Sequence, residues 1–266
     1  MNMASVGIEW VAAHRVYQSC QALRAAKAVP PPSLPASRSR LNDWTKSLRL
    51  FFTSATCLPS LSLALLYFPV LSFSASMLTF LLAAGFPLST ITLARTLSTF
   101  VEISATVIGP LGIRLMEKRN ITGKPPAAVE RIGLWGLWWQ FGNLVPVSLL
   151  LFHLTPAYSL PFFTFLALSR LGLWVYDLSV QTLVQTWVDA SVMGEYSGVE
   201  MGFISGAELA QWVVTAIWGK PEEFAWVSGA GTAAVGLALG LYMVWLGRRR
   251  GHLVHWEKVC CKEGRQ

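Results

Sequence analysis

The sequence predicts an all-α membrane protein with six transmembrane helices, and three observations predict it. Of 266 residues, 53% are hydrophobic and only 13% are charged, about half the roughly 25% charged content of a soluble domain. The apolar residues gather into six runs, near 58–84, 88–116, 132–154, 162–188, 198–218 and 224–246, each matching or exceeding the ~20 residues that cross a bilayer. The basic residues fall on one side of those runs. Arg15, Arg24, Lys27, Arg38, Arg40, Lys46 and Arg49 precede the first run, Arg114, Lys118, Arg119, Lys124 and Arg131 lie between the second and third, and Arg248, Arg249, Arg250, Lys258, Lys262 and Arg265 follow the sixth. The opposite loops "GFPLS", "TPAYSLP" and "GKPEE" contain only Lys220. The positive-inside rule then makes both termini cytoplasmic, which an even number of spans requires.

Residues 1–28 contain "IEWVAAHRVYQSCQALRAAKA", a mildly amphipathic basic helix too polar to span and without a signal-peptide core. Its Arg and Ser content with few acids also permits an organelle transit peptide. Residues 29–50 open on "VPPPSLPASRSR" and read as a Pro/Ser-rich, basic linker. The six-helix lobe occupies 51–247, and 248–266 form a basic cytoplasmic tail. Several runs exceed the minimum length, which allows tilt. Asn120 in "NIT" matches a glycosylation acceptor but lies on the cytoplasmic side of this topology. The cysteines Cys20, Cys57, Cys260 and Cys261 show neither disulfide nor zinc spacing. Cys260 and Cys261 are either plain tail thiols or acylation sites.

The stretch "SRLGLWVYDLSVQTLVQ", 169–185, is unusual for a span. Arg170, Asp177, Gln181 and Gln185 are spaced by seven, four and four residues and draw one polar stripe along a helix. Arg170 and Asp177 are about 10 Å apart along the axis, so each looks to another helix or to water. The stripe is either an interhelical contact that orients the helix or one wall of a hydrophilic cavity. The fifth run repeats the pattern with Ser197, Glu200, Glu208, Gln211 and Thr215 on one face. Glu200 and Glu208 offer hard oxygen donors suited to divalent cations. Gly198, Gly202 and Gly206 form a small-residue stripe that predicts close helix packing, as do Gly229, Gly231, Gly236 and Gly240 in the sixth run. Arg95 and Glu102 in the second run predict structural pairing with other helices.

The motifs of soluble enzymes are missing. There is no phosphate-binding glycine loop and no HExxH, and "GFISG" lacks the membrane-embedded histidine a serine nucleophile needs, since His14, His252 and His255 flank the spans and His153 sits at an edge. The net charge of +7 is explained by topology, so no nucleic acid is expected. Aquaporin NPA boxes and the acidic-proline repeats of mitochondrial carriers are also absent. A helical bundle with polar interior stripes points to transport, with no enzymatic activity and no cofactor. The segment "GPLGIRLMEKR", 109–119, resembles the glycine- and arginine-rich cytoplasmic loop of major facilitator transporters, with Ile113 at the usual acidic position.

With these residues on the page, the chain resembles a family. "SRLGLWVYDLSVQTLVQ", "SGVEMGF" and the "KPEEF" turn resemble the tenth and eleventh helices of ferroportin-type iron exporters (solute carrier family 40). "SLALLYFPVLSFSASMLTFLLAAG", 62–85, is similar to their seventh helix, with Trp44 where the family also has a tryptophan, and "IEWVAAHRVYQ" is similar to the end of their sixth. The resemblance implies the C-terminal lobe of a major-facilitator-type transporter that exports Fe2+ from the cytosol by alternating access. It implies that Ser74 and its neighbours sit at a helix break near the cavity. Arg170, Asp177 and Gln181 would line or brace the passage, and 109–119 would gate its cytoplasmic side. The family's cysteine and histidine metal positions fall on Ala75 and Leu241, which supply no ligand. The implied partners are the lipid bilayer and either the missing N-terminal lobe or a second copy of the chain. A transport-inactive lobe acting only as an assembly partner is the alternative.

Overall fold

A computed structural model of the chain describes residues 14–15, 18, 39–69, 71, 75–118, 126–152, 158–218 and 223–250. Contacts divide the chain into two units, 1–45 and 46–266. In the first, Gln18 and His14 stand one helical turn apart with their side-chain nitrogens at 2.8 Å. Helix α1 is Ser39–Thr53. The second half of the segment read as linker is therefore helical. Its prolines, at 30–32 and 35, all precede the helix, so nothing in 39–53 interrupts the backbone ladder.

Among the described residues of the second unit there are seven further helices: α2 (Cys57–Leu66), α3 (Ala75–Ala83), α4 (Leu88–Lys118), α5 (Pro126–Leu151), α6 (Ser159–Trp187), α7 (Met193–Ile217) and α8 (Phe224–Arg250). Among the described residues three helices, α4, α6 and α8, are long and apolar enough to cross a membrane by themselves, and α1 with α2 adds a fourth if that pair, bent by 101°, counts as one span. The segment 109–119, expected as a loop, is helical as far as Lys118 and continues α4 through Pro110.

The first expected span, 58–84, is not continuous. It breaks between Leu66 and Ala75. Pro69 has no N–H and disfavours helical geometry at Phe68. The last turn of α2 accordingly tightens to i→i−3 bonds, Tyr67 N–H to Ala64 O at 3.1 Å and Phe68 N–H to Leu65 O at 3.3 Å. Helix α3 closes on Gly85, whose φ of +86° allows the Gly85 N–H to reach Leu82 O and the Phe86 N–H to reach Leu81 O, both at 3.1 Å. This paired cap needs a left-handed residue, and Leu81 and Phe86 are both buried beside it.

Packing centres on α5 and α6. A Cβ on Gly172 would lie 2.5 Å from Gly136 O and 2.7 Å from Gln140 N, so the two helices cross backbone to backbone. Trp139 Nε1 donates to Leu168 O at 2.9 Å nearby. Helix α8 joins α5 through Tyr242, which donates to Glu130 O at 3.0 Å, and through Ser148 and Thr232, whose hydroxyls are 2.5 Å apart. Helix α8 meets α2 where Ser62 donates to Ala238 O at 2.7 Å. Pro59 cannot donate to Ala55 O, and Trp245 Nε1 supplies that bond at 2.7 Å. Tyr176 of α6 donates to Pro59 O at 3.1 Å.

The glycine stripes divide. In α8, Gly236 packs on Phe141 as expected, but a Cβ at Gly229 or Gly240 would meet open space, so that stripe is only partly a packing surface. Gly198, Gly202 and Gly206 do not pack: a Cβ at each would meet open space. All three lie on the exposed face of α7, because α7 turns Tyr196, Glu200, Ile204 and Gln211 inward instead.

Candidate functional site

The sequence placed polar residues on two helices, and the fold brings Arg170 of the first stripe and Glu208 and Gln211 of the second to the α2 break. A cavity of about 340 Å³ opens there, lined by Leu66, Tyr67 and Pro69 at the break, Arg170, Leu173 and Trp174 of α6, and Glu208, Gln211 and Trp212 of α7. Proline shapes the first wall, because the tightened end of α2 leaves Tyr67 at the helix cap facing the other two.

Arg170 is not isolated. Its Nε donates to Glu102 Oε1 of α4 at 3.2 Å, with both side chains about one quarter exposed. Ser98, buried one turn before Glu102, has its hydroxyl 3.4 Å from the same oxygen. Of the residues expected to look to other helices, Arg170 and Glu102 find each other. The pair fixes α6 against α4 and leaves the Arg170 guanidinium edge on the cavity wall.

Two turns further along α6, Asp177 and Gln181 stand one turn apart, both half-buried. Gln185 is exposed. On α7, Glu200 is 2% exposed. Its Oε1 has no hydrogen-bond partner among the described residues. The Ser60 hydroxyl of α2 stands 2.9 Å from the Tyr196 hydroxyl, to which Thr56 donates at 2.9 Å, so the α2–α7 seam holds a small buried polar network. Glu208 is exposed on the cavity wall, and Gln211 is buried there.

Arg170 and Glu208 thus share one cavity, with Asp177 and Glu200 close by. Ser74 and the side chain of Ala75 lie outside the described residues. Leu241 is half-buried on α8. Among the described residues no group of three or more His, Cys, Asp and Glu is placed to hold a metal ion. Sequence reasoning missed Tyr67 and Trp174. The signal for Tyr67 was "YFP", an aromatic hydroxyl just before a helix-breaking proline inside an apolar run.

The comparison with known proteins gives this architecture a family. The model of the Ferroportin1 (FPN1) family matches residues 1–235. The chain belongs to the ferroportin family. It is 34% identical over 235 residues to solute carrier family 40 member 1 of Arabidopsis thaliana, covering 86% of this chain and 43% of that protein. It is 30% identical over 222 residues to solute carrier family 40 member 1 of Oryza sativa subsp. japonica, covering 82% and 43%. This ferroportin-family chain therefore spans less than half the length of the curated relatives it matches.

Among solved structures, it is similar in fold to a bacterial homologue of the iron transporter ferroportin in the outward-facing state, with a TM-score of 0.70 and 21% identity over 90% of this chain and 53% of that one. It is similar to the inward-facing bacterial homologue at a TM-score of 0.62 and 23% identity, over 71% and 44%. The helical bundle of this ferroportin-family chain is thus that of an integral membrane protein.

Proposed function

We propose that this chain forms the C-terminal six-helix lobe of a major-facilitator-type transporter that exports Fe2+ from the cytosol by alternating access, with both termini cytoplasmic. The observation that carries the reading is the polar cavity at the interrupted helix. A bundle needs no cavity edged by Arg170, Glu208 and Gln211 for its own packing, and ionisable groups in a membrane mark a pathway or an internal partner. Broken helices at substrate sites are a device of secondary transporters, because the freed backbone carbonyls can face the cargo. Family membership supports the transport class, and the likeness to bacterial homologues of an iron transporter supports the metal.

Fe2+ is cargo here, and no resident cofactor is involved. Ala75 and Leu241 offer it nothing, so this lobe's contacts fall to oxygen donors: Asp177, Gln181, Glu200 and Glu208, with Ser74 at the break. Arg170, held by Glu102, keeps the stripe in register, and the 109–119 end of α4 works at the cytoplasmic gate. The opposing wall comes from an N-terminal lobe or from a second copy of the chain. The apolar residues Ala75 and Leu241 also favour a second reading, a transport-inactive lobe that only assembles with a partner.

Fe2+ flux in vesicles, read by quenching of an enclosed chelating dye, separates the two. The chain is assayed alone and together with the N-terminal half of the Arabidopsis relative. Transport predicts flux in at least one arm and its loss in Asp177→Ala at normal membrane level. A folded chain with no flux in either arm leaves only the assembly role.

A further inference from the structure

A second cavity, of about 550 Å³, lies at the opposite, basic end of the bundle. Its floor and walls come from Phe52, Cys57, Leu58, Leu61 and Trp245, and Arg248 and Arg249 stand at its mouth. The two arginines differ. Arg249 Nε is 3.2 Å from the buried Glu130 Oε1, and its guanidinium lies 3.6 Å above the Trp187 ring, so it is neutralised and fixed. Arg248 is exposed and has no ion-pair partner among the described residues. No acidic side chain lines this cavity.

We infer that this cavity holds one anionic phospholipid, its phosphate on Arg248 and an acyl chain along Phe52, Leu58 and Leu61. The polarity runs the right way. The cation sits on the last turn of α8, where the bundle meets the polar end, and the apolar wall follows α2 inward from Cys57 through Leu61. That is the order of headgroup and acyl chain in a phospholipid. The start of α2 adds a single donor. Cys57 N–H is taken by Ser54 O at 3.3 Å and Pro59 has no N–H, so only the Leu58 N–H is left there for an anion. Basic pockets between membrane helices bind anionic headgroups in this way. The mostly apolar walls disfavour a soluble polyanion, which would leave them wet.

Cys57 provides the readout, being 8% exposed in the cavity wall. With Cys20, Cys260 and Cys261 changed to serine, its alkylation by a small permeant thiol reagent is followed in vesicles of phosphatidylcholine alone and with added phosphatidylglycerol. The anionic lipid is expected to slow labelling about fivefold, the worth of one basic side chain near an anionic surface. Arg248→Gln should remove that protection, while Lys46→Gln, outside the cavity, should keep it. Equal rates in the two vesicles overturn the inference. So does equal loss in both variants, which would mean surface charge alone, or equal protection by inorganic phosphate in phosphatidylcholine vesicles, which would mean a phosphate site.

Discussion

The arginine at 170 poses the residue-scale problem, since a lone charge near the middle of a membrane helix costs about 2.5–3.5 kcal/mol on insertion scales. The fold answers it with Glu102 on α4, 3.2 Å away. Truncating either residue leaves the other charged without its partner, so Arg170→Met and Glu102→Leu should each destabilise the chain. The double variant should recover part of the loss, with a coupling of about 1–2 kcal/mol in a thermal or denaturant cycle. Strict additivity would show that the pair contributes nothing. Glu200 has the opposite character. It is buried with Oε1 unpartnered, and an uncompensated buried carboxylate is costly. Glu200→Gln should therefore leave thermal stability unchanged or raise it, while lowering Fe2+ flux if the residue serves transport. A loss of stability with unchanged flux would make Glu200 a structural residue.

At the scale of elements, Gly172 of α6 and the three spaced glycines of α7 behave differently in space. Gly172→Ala sets a Cβ against the Gly136 carbonyl and the Gln140 amide, which are backbone atoms that cannot swing away. The α5–α6 crossing must open, at about 1–3 kcal/mol, despite the ~1 kcal/mol by which alanine favours a helix over glycine. Gly202→Ala meets open space and should be neutral or slightly stabilising in the isolated chain. Thermal unfolding of the two variants checks the contrast. Trp245→Phe removes the donor to Ala55 O, for a cost of about 1 kcal/mol.

For the whole molecule, the exposed face of α7 is the informative surface. It carries Gly198, Gly202 and Gly206, with Glu208 at its margin beside the cavity. Exposed Leu93, Leu97 and Phe100 on α4 suit lipid, but a glutamate does not. The α7 face is therefore proposed to be covered by the opposing lobe. If a second copy supplies it, cross-linking in membranes should give a band at about twice the 29.3 kDa of the chain, and Gly202→Leu should abolish that band. Monomers alone would assign the face to a different chain.

Composition and periodicity alone determined the membrane class, the helical content, and the polar stripes of 170–185 and 197–215. Each follows from residue type at fixed spacing, which one helix expresses without help from its neighbours. The helix break was legible in outline, because Pro69 acts locally. Tertiary structure alone decided the rest. It chose Glu102 as the partner of Arg170, 68 residues away. It placed Gly172 of α6 in a crossing with Gly136 of α5 and left the stripe of α7 open. It also gathered Tyr67, Arg170 and Glu208 around one cavity. Such outcomes depend on which helix faces meet, and the same stripe of glycines or charges serves packing or a passage according to what the neighbouring helix presents.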